Sequence, residues 1–382
     1  MMMRRLGELN WVNTLTLLGT PVLAVVGCWS YSRGEGILWQ DWVLFLGMYM
    51  LTGFSITAGY HRLFAHKTYQ CHPAVEWFFL LFGAAGYQNS ALEWSAQHRT
   101  HHREVDTDGD PYNAQRGFFW AHMGWVFFKA RPDPEFRTVP DLLKNPRVML
   151  QHRYCLRLGL VVGIGLPTLV GAAYGSALGG FWVGGVLRLV ALHHSTFLIN
   201  SAAHFFGTQP YNDSSSARDS AWLALLTMGE GYHNFHHSFQ GDYRNGVLWY
   251  HWDPSKWLIA GLQRVGLAWR LRRTSELAIT RARLRMARKA TEKLLTENPA
   301  GVGPSLLSTG ELLQGRIENA AFELTRVRER YTQWANESSR LCRRERRRLR
   351  HQWRARVAAN QHQMRCAWRD YRRWVSSVQA VA

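Results

Sequence analysis

Two copies of the pattern His-x-x-His-His mark this chain, His98-Arg-Thr-His101-His102 and His233-Asn-Phe-His236-His237. Chance gives roughly 0.03 such triplets for 17 histidines in 382 residues, so two are a signal. A further box, His61-Arg-Leu-Phe-Ala-His66, and the element Asn200-Ser-Ala-Ala-His204 complete a set of nine histidines and one asparagine. An α-helix turns about 100° per residue, which puts each triplet on one face and aligns Asn200 with His204 at i, i+4. His61 and His66 stand about 140° apart on such a helix and must approach a common centre from two sides or across a helix end. Imidazole is the commonest ligand of redox-capable first-row metals, iron included. Nine are too many for one ion and about right for two, so a two-metal site is expected.

The elements that must position these residues follow from composition. The five cysteines, at 28, 71, 155, 342 and 366, form no C-x-x-C pair, which excludes a disulfide framework and a zinc knuckle. A mean hydropathy of −0.25 hides two unlike parts. Residues 271–382 carry 25 Lys+Arg against 10 Asp+Glu, a net of +15, while the long apolar stretches lie in the first 270. Four of those stretches, about 11–31, 37–59, 158–178 and 181–200, reach the roughly 20 residues that cross a hydrocarbon core. Arg4, Arg5 and the basic segments 129–157 and 264–382 put both termini and the loop 61–157 in the cytoplasm by the positive-inside tendency. The first span lacks a small-residue cleavage site and reads as an anchor, not a removable signal. Segment 73–88, apolar but short and bearing Glu76, reads as an interfacial helix. The expected architecture is an all-α integral membrane protein: four transmembrane helices under a cytoplasmic histidine-box cap in residues 1–270, then a basic helical extension over 271–382.

The motifs Gly59-Tyr-His-Arg-Leu-Phe-Ala-His66, His98-Arg-Thr-His-His102 running into Asp106-Thr-Asp-Gly-Asp-Pro111, Arg116-Gly-Phe-Phe-Trp-Ala-His-Met-Gly-Trp125, Asn200-Ser-Ala-Ala-His204 and Gly229-Glu-Gly-Tyr-His-Asn-Phe-His-His237 together resemble the membrane-bound fatty acyl desaturases of the stearoyl-CoA desaturase type. The resemblance covers about residues 11–270. It implies a non-haem di-iron centre on the nine box histidines, with Asn200 reaching one metal through water. It also implies an O2-dependent reaction that takes two hydrogens from a saturated acyl chain and leaves a cis double bond, at the Δ9 position for this type. By the same resemblance Phe197 (usually Trp in the family) and Trp94 border the bend of an acyl tunnel, Gln88 and Asn89 lie near the bend and headgroup entrance, and Tyr49 closes the far end. Animal acyl-CoA members carry Arg-Asp before the second box, where this chain has Ala96-Gln97, and a basic pair reduced here to Lys129 and Arg131. The acyl carrier therefore stays open between CoA, a membrane lipid and a carrier protein. No His-Pro-Gly-Gly signature occurs, so a separate electron donor of ferredoxin, rubredoxin or cytochrome b5 type is expected. The expected location is a bacterial inner membrane, or the endoplasmic reticulum membrane in a eukaryote.

A redox metal pair suits attack on an unactivated C–H bond, which side chains alone cannot oxidise. Its histidines need orienting partners, and Glu93, Asp106, Asp110 and Glu230 are candidates; the competing reading pairs them with Arg99, Arg103 and Arg116 or leaves them solvated. The run 106–110 is no EF-hand, because Gly109 is misplaced and the twelfth position is Gly117. His193 and His194, inside the fourth span, read as neutral and hydrogen-bonded. His72, His122, His152, His251, His351 and His362 lack ligand spacing and receive no role. In the extension, residues 271–298 read as helix, 298–304 as a break, and 311–378 as one long helix. Its seam (Leu313, Ile317, Ala320, Leu324, Val327, Tyr331, Trp334, Leu341) would be buried by a hairpin with the preceding helix or by self-association. Its charge fits anionic headgroups and not nucleic acid. Two rival functions remain: a hydroxylase or alkane-type monooxygenase, and a metal transporter, which would need ligands in mid-span.

Overall fold

In lipid every backbone polar group must be paired within its own segment, so long apolar runs become helices. The computed structural model describes residues 8–129, 136–297, 304–338 and 342–381. Helices α1 (Trp11–Gly34) and α2 (Trp39–Ala65) form a first apolar pair. Then come α3 (Pro73–Ala84), α4 (Ala91–Glu104) and the short α5 (Phe118–His122). A second apolar pair, α6 (Pro146–Ala173) and α7 (Ala177–Phe205), precedes α8 (His233–Ser238) and α9 (Pro254–Arg264). The four long helices have the length and composition to cross a bilayer, and the chain is a multi-pass, mostly helical membrane protein. Among the described residues one short antiparallel ladder pairs β1 (Gln70–Cys71) with β2 (Ala268–Trp269).

The span ends differ from expectation for local reasons. α6 starts at Pro146, capped by Asn145 Oδ1 accepting from Arg147 N–H at 3.0 Å, well before residue 158. The turn of the second pair lies at Gly175, where φ is +85°, and not at Gly179-Gly180. Those two glycines are helical close-packing positions: a Cβ on Gly179 would sit 2.3 Å from Asp41 Oδ1. Asp41 itself is fully buried and accepts from Tyr31 Oη (3.0 Å), Ser176 Oγ (2.9 Å), Tyr174 Oη (2.8 Å) and Leu38 N–H (2.9 Å), tying the two helix pairs together.

The short apolar helix α3 packs one face against the rest of the protein. Phe79 and Leu80 of α3 are buried against the end of α2, in one cluster with Tyr60, Leu92 and Ile259. The two helices approach through glycines, since a Cβ on Gly59 would lie 2.6 Å from Phe79 Cβ and one on Gly83 2.3 Å from Tyr60 Cε1. The Tyr60 hydroxyl is held by Gln151 Nε2 at 2.6 Å and cannot swing aside freely. Gly83→Ala is therefore expected to cost about 1–3 kcal/mol through overpacking. A thermal melt of the detergent-solubilised protein reads this, and an unchanged midpoint would contradict it.

The chain divides into two compact units, Met1–Thr208 with Ser214–Arg273, and Gln209–Asp213 with Thr274–Ala382. The second unit holds α10 (Glu276–Glu297), α11 (Pro304–Glu337) and α12 (Arg343–Val381). The expected single helix over 311–378 is thus two helices folded back on each other. Leu313, Ile317 and Leu324 are buried, and the next buried position is Ala321, not Ala320. Leu313 and Ile317 share a cluster with Leu284 of α10 and Ala367, Tyr371, Trp374 and Val378 of α12. The seam is satisfied within the chain. Gly310 permits the close approach, for a Cβ there would meet the Trp374 ring at 2.3 Å. The segment Gln209–Asp213 is strapped onto α10 by an Asp213–Lys289 ion pair and by Arg285 donating to Tyr211 O at 3.2 Å. Leu341, Arg131 and most of the 298–304 break lie outside the described residues.

Candidate metal centre

The end of α2, Ser55–Ala65, is wound as a π-helix. Its wider turn hydrogen-bonds residue i+5 to residue i, and His66 N–H donates to His61 O at 3.0 Å. Residues five apart therefore share a face, and the rings of His61 and His66 lie 4.8 Å apart, centroid to centroid. The 140° separation expected on an α-helix does not apply. Helix α4 is started by Ser90 and Glu93, each side chain bonding the other's backbone N–H at 3.2 Å. Its position is fixed by Arg99, which donates to Ala65 O, Phe64 O and Thr138 O and makes two bonds to Asp141 at 2.7 and 3.0 Å. Burial would raise the Asp141 pKa, but hydrogen bonds from Arg99 and Lys67 bring it down to about 2.

Nine histidines converge in two groups. Ligand nitrogens of His61, His66, His98, His102 and His236 lie within 4.8 Å of one another, and so do those of His101, His204, His233 and His237. The triplets are split crosswise. On α4 the i, i+4 pair His98/His102 joins the first group and His101 the second; on α8 the pair His233/His237 joins the second and His236 the first. The two groups adjoin through His102 and His237, stacked at 4.3 Å.

For three of the rings hydrogen bonding decides which nitrogen carries the proton. His61 Nδ1 sits 2.9 Å from Glu230 Oε2, and His101 Nδ1 2.9 Å from Asp110 Oδ1. A carboxylate only accepts, so both Nδ1 atoms carry the proton and both Nε2 lone pairs point into the groups. Ser216 Oγ spends its proton on Asp106 Oδ1 at 2.6 Å and therefore accepts from His204 Nδ1 at 2.7 Å. That leaves the buried Nε2 of His204 as a lone pair without a hydrogen-bond partner. Elsewhere Nε2 meets Nε2: His61 and His236 at 3.0 Å, His236 and His102 at 2.8 Å, His66 and His98 at 2.8 Å, His237 and His233 at 3.1 Å. Burial holds His66, His98, His102, His233, His236 and His237 far below the usual imidazole pKa, so they are neutral. Neutral imidazoles crowding their lone pairs together fit cations and fit little else.

Of the four acids expected to orient ligands, Glu230 and Asp110 touch a histidine directly and Asp106 acts through Ser216. Glu93 instead caps α4 and lies 3.8 Å from His152. Tyr112, whose hydroxyl is 3.2 Å from His98 Nδ1, and Ser216 carry no sequence signal of their own. Burial would raise the Glu230 pKa, but the Arg62 charge and hydrogen bonds from His61 and Arg62 lower it. Asn200 and His204 do not share an unbroken helix. Ser201, with φ −100° and ψ −78°, separates Arg188–Asn200 from the last turn Ala202–Phe205, and Asn200 is half-buried at the joint.

The residues expected along an acyl tunnel fall as follows. Trp94 stacks on His98 at 4.7 Å and meets His61 edge-on at 6.0 Å. Phe197 is buried among His122, His193 and His194. Gln88 Nε2 donates to Thr196 Oγ1 at 2.9 Å, and Asn89 adopts the left-handed region at φ +67°. Tyr49 Oη lies 2.9 Å from Ser195 Oγ and 3.1 Å from Leu226 O, within hydrogen-bond reach of both. Lys129 is exposed and paired with Glu8 at 2.9 Å. His193 Nε2 bonds Gly86 O at 2.9 Å.

The family described as "Fatty acid desaturase" matches residues 37–288. A "Probable acyl-CoA desaturase" of Schizosaccharomyces pombe is 41% identical over 266 residues, 69% of this chain and 55% of its own length. "Acyl-CoA desaturase 1" of Saccharomyces cerevisiae is 39% identical over 289 residues, 75% of this chain and 56% of its own. The chain thus spans about half the length of these two relatives. An "sn-1 stearoyl-lipid 9-desaturase" of Anabaena variabilis is 34% identical over 267 residues, 68% of this chain and 93% of its own. The matched region contains every histidine of both groups, and the chain belongs to the fatty acid desaturase family.

Proposed function

We propose that the chain is an O2-dependent desaturase that places a cis double bond, at the Δ9 position, in a saturated acyl chain carried by CoA, with an acyl group on a membrane lipid as the alternative carrier. The observation that supports this reading most directly is the sorting of nine inward-facing imidazoles, six buried and three half-buried, into groups of five and four. In this reading the first group holds one iron and the second holds another, with Asn200 beside the second. An iron pair so held supplies the oxidising power, drawn from O2 and two electrons, that an unactivated C–H bond demands.

The protein's own work is positioning. Glu230, Asp110 and the Ser216–Asp106 pair hold three rings in one tautomer and one orientation. Trp94, stacked on His98, gives the site an apolar wall that keeps water from the reacting methylenes. We assign Trp94, Phe197, Gln88 and Asn89 to the bend of the acyl path and Tyr49 to its closed end. Lys129 spends its charge on Glu8, which supports keeping the lipid carrier in view. Electrons come from a separate donor of ferredoxin, rubredoxin or cytochrome b5 type. Both termini lie in the cytoplasm of a bacterial inner membrane or, in a eukaryote, on the cytoplasmic side of the endoplasmic reticulum. Residues 1–270 form the desaturase domain, and 271–382 an accessory basic extension attracted to anionic headgroups.

The test is turnover by the purified full chain with ferrous iron, O2, a reductant and labelled stearoyl-CoA, or a stearoyl phospholipid in parallel. A cis-9 alkene is expected. An alcohol would mean the hydroxylase reading, and bound iron without any oxidised product would end the proposal.

A further inference from the structure

His122 and His194 lack ligand spacing, and neither belongs to the two histidine groups. They are nevertheless joined in a directed chain. Ser201 Oγ donates its only proton to Phe197 O at 2.9 Å. It must therefore accept from His122 Nδ1, 2.9 Å away, which fixes His122 as the Nδ1–H tautomer. The lone pair left on His122 Nε2 then accepts from His194 Nδ1 at 3.1 Å. The two rings stack at 5.4 Å and 25°, and Phe118 also stacks on His122 at 5.8 Å.

The chain ends at the one residue where its pull matters. Ser201 is fully buried and forms the break in α7 that separates Asn200 from His204. His204 N–H bonds Ser201 O at 2.8 Å, so the rotation of Ser201 sets where the His204 backbone begins. The Ser216–Asp106 pair orients the His204 ring but does not hold its backbone. With Ser201 Oγ donating to Phe197 O, the directions of the two histidine links follow from it.

We infer that His122, supported by His194, is a positioning residue: through Ser201 it locks the joint that aims Asn200 and His204 at the four-histidine group. The motif Arg116–Trp125 thereby gains a role, presenting His122 from α5 to the break in α7. This inference rests on the proposed reading that each group holds one metal.

The test titrates the metal-free full chain in detergent with cobalt(II), following its visible bands and the metal content per chain. Wild type should bind two ions; fewer than two would defeat the underlying reading rather than this inference. His122→Phe keeps the stacked ring but removes the donor to Ser201. It should load the five-histidine group normally and weaken the second ion by about 10- to 100-fold, the usual effect of losing an outer hydrogen-bond partner. Ser201→Ala should do the same. His122→Asn offers an amide N–H in place of Nδ1–H and should recover most of the loss. Two ions bound by His122→Phe at wild-type affinity would overturn the inference. So would a loss spread equally over both groups, or an Asn variant no better than the Phe variant.

Discussion

Under the proposed ligation, His236→Ala should cost the protein the metal of its five-histidine group and, with it, the proposed turnover. His236 Nε2 lies 3.0 Å from His61 Nε2 and 2.8 Å from His102 Nε2, so one ring connects box one to box two. Its removal takes away a donor and leaves the facing lone pairs of His61 and His102 across an enlarged gap. Loss of a mere orienting partner costs about 10- to 100-fold in affinity or activity, and loss of a ligand at the junction should exceed that. Metal content should drop to about one per chain, with desaturation below detection. Wild-type stoichiometry with full turnover in this variant would remove the five-histidine group from the site.

Arg62→Met should destabilise the fold more than any single ligand change. Arg62 is wholly buried and bonds Glu230 Oε1 at 2.8 Å, Asp253 Oδ1 at 3.0 Å and Tyr243 O at 2.9 Å. Methionine nearly fills the volume but strands two buried carboxylates without their cation. Removing one partner of a buried pair costs about 3–5 kcal/mol, because the remaining charge is left uncompensated. At roughly 2–4 °C per kcal/mol the melting midpoint should fall by about 10 °C. The damage reaches the metal site through Glu230, which also holds His61 Nδ1, and through Asp253, which caps α9 by accepting from Lys256 N–H at 2.9 Å. Arg62→Lys should recover part of the loss, since an ammonium keeps the charge but not the forked geometry. Melting of the metal-free chain separates the two effects, and a midpoint within about 2 °C of wild type would show that the buried network is dispensable.

Much of this was readable from residue types. The gathering of the nine box histidines follows from the boxes, and the four apolar helices from hydropathy. What sequence spacing missed has physical causes. A π-helical turn is invisible to a reading that assumes 100° per residue, so His61 and His66 looked opposed. The crosswise split of the triplets depends on how α4 and α8 pack, which spacing within one helix cannot express. Glu93 looked like a partner for a histidine, although Ser90-x-x-Glu93 is the signature of a capping box and could have been read as one. Ser216 sits in the run Ser214-Ser-Ser216, where nothing distinguishes the one hydroxyl that reaches His204. The fold-back of the extension was hidden because the apolar positions of α12, Ala367, Tyr371, Trp374 and Val378, are scattered among arginines.

The crosswise ligand sets make metal uptake a cooperative event. Under the proposed ligation, an ion in the five-histidine group fixes the rotation of α4 through His98 and His102 and that of α8 through His236. The same rotations aim His101, His233 and His237 at the other group, so the second ion meets ligands whose ordering entropy has already been spent. Such coupling is reciprocal: a chelator that strips either ion loosens its neighbour by the same free energy. In the wild-type chain half-loaded protein should therefore be rarer than two independent sites would leave it, whereas a variant that lacks one group's ligand keeps the other ion at reduced affinity.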